Sequence, residues 1–297
     1  MAEQPFVIDP PGDAGPVLAA AVAAARHWSL PEPDLIRTGM NALFAAGESV
    51  VLRVGRPTAD PAAAIWLAEF LRRHGICVPT YARPVPFTVD ELTVYAIQRE
   101  HVTGSIDWHE VGRMTAVLHT IEPSTVSARY PTPWCSTFPW WQFDRLLAEV
   151  GDQLDRQARL GIERVLTRAA PWRERVEQVV LCHGDVHPGN VLQTLDGPML
   201  IDWDLLCLGP PAWDHAPTMT WTERWGGEPG LYEAFSAGYG RSMREDPVAE
   251  ALASLRLVAA TLMRLRAGRT DPRAADEAER RLSWWRGDDD APPWSAM

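Results

Sequence analysis

Cys182-His183-Gly184-Asp185-Val186-His187-Pro188-Gly189-Asn190, followed twelve residues later by Asp202-Trp203-Asp204, is the stretch that decides how this chain reads. Val179 to Cys182 reads as a short buried strand that delivers the loop. Val191-Leu192-Gln193 and Met199-Leu200-Ile201 are two further apolar runs, and an Asp196-Gly197 turn between β-prone runs predicts a hairpin. Pairing its arms sets Asn190 opposite Asp202 to within one residue. An amide oxygen and a carboxylate converging at the open end of a ribbon suit Mg²⁺, which keeps waters and also binds substrate phosphates. Asp185, five residues before Asn190, can face the same metal and accept a proton from an incoming hydroxyl.

The spacing His-x-Asp-x-x-x-x-Asn is that of a phosphoryl-transfer catalytic loop. His183 and His187 lie four apart, but Pro188 and Gly189 argue against the helix that would align them on zinc. His183 reads instead as a structural residue that bonds the loop backbone.

Composition narrows the chemistry. A chain of 297 residues, 46% hydrophobic and 23% charged, can bury a large core and divide into two lobes. No run reaches the length of a membrane span, and apolar Val17 to Ala25 lacks a basic segment before it, so neither a span nor a signal peptide is expected. Cys77, Cys135, Cys182 and Cys207 are scattered without disulfide or metal spacing, which fits a cytoplasmic protein. A net charge of −11 argues against a broad nucleic-acid-binding face and favours a cationic small substrate mildly. All 28 basic residues are arginine. Without lysine there is no Walker A loop and no Schiff-base chemistry, and an arginine must take the place of the usual phosphate-binding lysine.

Along the chain, a Pro- and Gly-containing opening leads into an alanine-rich helix ending near Trp28. Strands are expected at Leu35–Arg37, Asn41–Ala45, Val50–Val54 and Thr93–Gln98, with a helix over Ala62–His74 closed by Gly75. After Thr103-Gly104 the pattern turns helical: Glu110–Thr120, Phe143–Leu166, Pro171–Gln178, Leu231–Met243, Val248–Ala267 and Arg273–Trp285. Two aromatic stretches, Pro131 to Trp141 and Trp213 to Trp225, read as loops, and Asp288 to Asp290 as the start of a frayed acidic tail. The architecture is α+β, with a small β-rich N-terminal lobe (residues 1–102) and a larger, mainly helical C-terminal lobe (103–297).

Leu181 to Ala216 resembles the aminoglycoside phosphotransferase and choline kinase family, the small-molecule branch of the protein-kinase-like two-lobe fold. His183 to Asn190 matches that family's signature loop, Leu200 to Asp204 its metal-binding segment, and Gly209 to Asp214 the tail that follows. Asn41 to Phe44, Val51 to Val54 and Gly112 to His119 add weaker matches in the expected order.

The resemblance implies that Asp185 is the catalytic base and that Asn190 and Asp202 are the Mg²⁺ ligands bridging the ATP phosphates. It places Arg53 on the α- and β-phosphates, and Arg99, Glu100 and His101 at the hinge where backbone groups bond adenine. Glu69, in the N-lobe helix, either pairs with Arg53 or is a solvated helix charge. The chain has no Gly-x-Gly-x-x-Gly loop.

The acceptor is expected beside Asp185. Trp134, Trp140, Trp141, Trp213, Trp221 and Trp225 either stack on it or pack the core, and Glu223 and Glu228 could meet amines. Asp204 either buttresses the metal ligand or serves only the loop, and Asp214 is expected to cap backbone amides. The expectation is an ATP- and Mg²⁺-dependent kinase acting on a hydroxyl of an aminoglycoside or other amine- or sugar-bearing antibiotic, with a resistance role to match. Alternatives are a choline- or homoserine-type metabolite kinase and a non-catalytic, nucleotide-binding pseudokinase.

Overall fold

Val50-Val51-Leu52-Arg53-Val54 alternates in burial as a half-buried strand must: Leu52 and Val54 are sealed and Arg53 points away from them. The computed structural model describes residues 14–295, so the first part of the Pro- and Gly-containing opening lies outside them. In order the elements are α1 (Ala14–His27), β1 (Asp34–Arg37), β2 (Ala42–Ala45), β3 (Val50–Gly55), α2 (Pro61–Arg73), β4 (Phe87–Val89) and β5 (Leu92–Gln98). Next come α3 (Trp108–Leu118), α4 (Pro123–Ser127), α5 (Phe143–Val150), α6 (Arg156–Ala169), β6 (Val180–Cys182), β7 (Val191–Thr194) and β8 (Gly197–Leu200). Last are β9 (Cys207–Gly209), α7 (Ala212–Trp225), α8 (Leu231–Tyr239), α9 (Pro247–Gly268) and α10 (Pro272–Arg286).

These elements form two units. One gathers the described residues up to Ile106 with Pro123–Thr132 and Leu192–Asp204; the other takes Asp107–Glu122, Pro133–Val191 and Leu205 onward.

The first unit is built on a five-stranded antiparallel sheet in the order β1-β2-β3-β5-β4. Val17, Ala21 and Ala24 of α1 close one face over Phe44, Leu52, Val54 and Val94. Each such large apolar side chain contributes about 1.5–3 kcal/mol on burial. Arg53 stands on the other face, directly across from Tyr95 in the β3–β5 ladder. Helix α2 starts with Asp60 accepting from the Ala62 and Ala63 amides, carries Pro61 in its first turn, and ends before Gly75 at φ +78°. The β7–β8 hairpin forms as expected, its turn held by the Thr194 hydroxyl on the Gly197 carbonyl at 2.8 Å.

The second unit is helical. Leu257, Val258, Leu262 and Leu265 of α9 pack with Leu146 and Val150 of α5, Ile162 of α6 and Leu282 and Trp285 of α10. Four expectations from sequence are corrected here. The stretch from Trp213 to Trp225 is a helix despite Pro217, because Ala212 through Met219 are all buried. That packing outweighs the roughly 3 kcal/mol an interior proline costs. The helix expected over 143–166 is two, since the chain turns through Gly151–Gln153 and Asp155 caps a new start by accepting from the Gln157 and Ala158 amides. The 171–178 helix is a short 3-10 turn over Ala170–Arg175. The tail after Asp288 is pinned: Trp294 is buried against Trp225 and Trp284, and its amide donates to the Arg224 carbonyl at 2.7 Å.

Candidate active site

In the helical unit, β6 delivers the loop and Gly184 makes it possible. Gly184 has φ +97°, and a Cβ there would lie 2.0 Å from the Leu205 carbonyl oxygen, so only glycine fits. Asp214, in the first turn of α7, accepts the His183 and Gly184 amides, each at 2.8 Å, and lies 3.1 Å from His119 Nε2. The expected cap is therefore present. Burial alone would raise the Asp214 carboxyl, but the His119 and His183 rings and the Gly184 amide hold it below the usual carboxylate range. Tyr239 bonds the other nitrogen of His119 at 2.9 Å. Cys182 Sγ lies within 4.8 Å of the His119 and Asp214 ligand atoms. The Asp214 oxygens already face N–H donors, so this buried trio is a hydrogen-bonded hub rather than a metal cage.

Asp185 follows. Its own amide donates to His183 Nδ1 at 3.3 Å, the backbone-bonding role expected of that histidine. Asn190 Nδ2 donates to the Asp185 carbonyl at 2.9 Å and to its Oδ2 at 3.2 Å. The Gly189 amide donates to His187 Nδ1 at 3.0 Å, which leaves the proton on Nε2, 3.3 Å from Asp185 Oδ2. On the other side Arg256 Nη1 donates to Oδ1 at 2.8 Å, while its Nη2 donates to the Gly184 carbonyl. The Arg256 guanidinium packs against the neighbouring rings of Trp140 and Trp213, at 5.3 and 5.0 Å from their centroids. Burial raises the Asp185 carboxyl, yet His187, Arg256 and His183 together carry it well below the ordinary range. Asp185 and His187 open onto a cavity of about 410 Å³ between α7 and α9.

In the sheet unit, Arg53 Nη2 donates to Asp204 and stands 3.5 Å from Asp202 Oδ1, with Tyr95 facing the guanidinium at 6.0 Å. Thr58 Oγ1 reaches Asp204 at 3.4 Å. Burial lowers the Arg53 pKa, but Asp204 and Asp202 outweigh it and hold the group firmly cationic. Glu69 is exposed on α2, so the acid partners of Arg53 come from the segment after β8 and not from that helix. Asp202 sits at φ +63°, a left-handed conformation that an aspartate tolerates at modest strain. Arg99 and His101 are exposed and Glu100 half-buried after β5, where the Arg99 amide donates to the Ser49 carbonyl at 2.9 Å.

The structure thus brings Asp185 together with Asn190, and Arg53 with Asp202. Asn190 spends its N–H bonds on Asp185, so its oxygen is the atom it can offer a cation. That oxygen and the Asp202 carboxylate are hard donors of the kind Mg²⁺ takes. Arg256 escaped the sequence reading because it lies 71 residues past Asp185 on a helix whose pattern says only that it is amphipathic. Among the tryptophans, Trp141 and Trp213 are buried structural residues, whereas Trp221 and Trp225 line the cavity.

A loop built in this way within the helical unit, in a chain that also carries a sheet unit, defines the kinase-like class of small-molecule phosphotransferases. The sequence model of the phosphotransferase enzyme family matches residues 42–252, and the chain belongs to that family. No curated protein sequence matches it. Among solved structures, the spectinomycin phosphotransferase APH(9)-Ia, in complex with ADP and spectinomycin, is similar at TM-score 0.64 and 16% identity over 86% of this chain and 89% of that one. The GDP and kanamycin complex of APH(2")-IIia gives TM-score 0.69 and 16% identity over 91% and 98%. The macrolide 2'-phosphotransferase MphH from Brachybacterium faecium gives TM-score 0.57 and 19% identity over 88% and 97%. At such identities the likeness is one of fold.

Proposed function

We propose that this phosphotransferase moves the γ-phosphoryl group of ATP to a hydroxyl of a small molecule, with Asp185 as base and Asn190 and Asp202 as Mg²⁺ ligands. The observation that carries this reading is the Asp185 carboxylate, fixed by Arg256, His187 and Asn190 at the edge of a ligand-sized cavity. The acceptor oxygen bonds the γ-phosphorus as the bond to the departing ADP oxygen breaks, and the hydroxyl proton passes to Asp185. A carboxylate that stays ionised in acid orients that hydroxyl throughout, which matters more than basicity in a loose transition state. Mg²⁺, when bound, supplies charge neutralisation at the phosphates. Arg53 adds a cation at the α- and β-phosphates, held in place by Asp204, and the backbone of Arg99, Glu100 and His101 meets adenine.

An amine- or sugar-bearing antibiotic as acceptor, with the resistance role it would imply, draws its support from the complexes of the structural neighbours, which include kanamycin and spectinomycin. Four free cysteines suit a cytoplasmic location, and no helix among the described residues is long and apolar enough to cross a membrane. The net charge of −11 suits neither nucleic acid nor an anionic membrane as partner.

ADP release with Mg-ATP across a panel of hydroxy compounds tests the reading. Acceptor-dependent release should vanish with EDTA and return with Mg²⁺. Asp185→Asn should lower kcat by about 10²- to 10⁴-fold, the usual weight of a positioned base, while ATP affinity is kept. Retained turnover in that variant refutes the assignment, and no release with any acceptor favours the pseudokinase.

A further inference from the structure

We propose that Asp204 is the positioning residue that frees Asp202 for a metal: it keeps Arg53 anchored while Asp202 exchanges the arginine for Mg²⁺. The inference rests on the phosphotransferase reading and deepens it at the nucleotide end. Arg53, Tyr130, Asp202 and Asp204 line one small cavity of the sheet unit, and Thr58, from the same unit, stands beside Asp204.

The two carboxylates hold the arginine unequally, and through the same atom. Arg53 Nη2 makes a close bond with Asp204 Oδ2, whereas it stands 3.5 Å from Asp202 Oδ1, the outer limit of a hydrogen bond. The Asp202 side chain is 45% exposed, that of Asp204 28%. The second oxygen of Asp204 accepts from the Thr58 hydroxyl at 3.4 Å, and Thr58 also bonds the phenol of buried Tyr130. Asp204 is thus tied on both oxygens, to a cation and to a hydroxyl that is itself braced. The contact between Asp202 and Arg53 is long and open to water, so it breaks at low cost.

Electrostatics makes such a division of labour necessary. A guanidinium and a divalent cation repel each other across one shared carboxylate. Glu69 is exposed on α2, and among the described residues no carboxylate besides Asp202 and Asp204 reaches Arg53. Without Asp204, the arginine would settle wholly on Asp202 and cap the carboxylate that has to hold the metal. With Asp204 in place, one ion pair persists when Asp202 turns to the metal, and no largely buried guanidinium is stranded. Because Nη2 alone meets the carboxylates, the rest of the donor fork stays available to phosphate oxygens.

The test is the Mg²⁺ dependence of ADP binding to the full chain, measured by isothermal titration calorimetry with no acceptor present and with each variant checked for folding by circular dichroism. ADP should bind more tightly as free Mg²⁺ rises. Asp204→Asn should move the midpoint of that rise to about 10-fold higher Mg²⁺, the loss expected when the binding-competent arrangement falls to roughly a tenth of the population. Asp204→Glu, which keeps an anionic anchor, should reverse most of the shift. Arg53→Met removes the competing cation and should lower the midpoint; adding Asp204→Asn to it should then shift the midpoint by no more than about 2-fold, as for uncoupled sites. An unchanged midpoint in folded Asp204→Asn, a midpoint raised by Arg53→Met, or an equal shift with and without Arg53 overturns the inference. If Asp204→Asn fails to fold, the midpoint of Arg53→Met decides alone. ADP binding that ignores Mg²⁺ on the unmodified chain overturns the inference while leaving a nucleotide site, whereas no ADP binding at all refutes the phosphotransferase reading and the inference with it.

Discussion

Asp185 is an anion held from three directions, by a guanidinium, an imidazole N–H and an amide. Arg256 does this from the wall of the cavity, its guanidinium packed against two adjoining indoles. Arg256→Met keeps much of that packing and removes the anchor. We expect kcat to fall, by up to about 10²-fold for a misplaced reacting group, with KM for ATP unchanged in steady-state kinetics. Arg53→Ala should act the other way. A hydrogen bond to a charged group is worth about 1.5–3 kcal/mol, so KM for ATP should rise about 10- to 100-fold. An unchanged KM would remove Arg53 from the phosphates. At this scale the sequence is well read where residues are close along the chain, as His183 through Asn190 are. It is silent on Arg256, because no local pattern separates an arginine on a solvated face from one pressed onto a carboxylate.

Helices α3 and α8 pack at backbone distance. A Cβ on Gly112 would stand 1.9 Å from the Phe235 carbonyl oxygen, and one on Gly238 1.7 Å from that of His109. Gly112→Ala and Gly238→Ala should each destabilise the fold by about 1–3 kcal/mol in denaturant melts, the usual penalty of overpacking. Gly15→Ala, with nothing within 4 Å, is the control, and should be neutral or slightly stabilising. Helix α7 shows where element-level reading fails. Its sequence, with Pro217 and scattered tryptophans, lacks an amphipathic period because nearly every side of its first two turns is covered. A helix buried all round carries no periodic signal to read. The hairpin β7–β8, by contrast, announces itself through Asp196-Gly197, since turn chemistry is local.

The whole molecule should be acid-sensitive through His215, which is fully buried beside Tyr232 and Tyr239. Burial first, and then the nearby His119, lower its pKa from 6.5 to about 3. The fold therefore holds the ring neutral while the unfolded chain protonates it near 6.5. Its contribution to stability is full above that value and is lost as pH falls from 6.5 toward 3. Tm should drop between pH 6.5 and 5, and His215→Asn should flatten that slope; an equal slope in both proteins would refute the account. By sequence alone this chain determined a strand-built first unit, a helical second one, the loop that carries Asp185 and Asn190, and a basic complement made of arginine alone, because each is written in local spacing or in composition. Only the tertiary structure decided that Asp204 and Asp202 hold Arg53, that Asp214 and His119 brace the loop from two other helices, and that the Asp185 cavity is lined with arginines and apolar groups. Those facts join residues tens to more than a hundred positions apart, and packing, which no local pattern encodes, sets which of them meet.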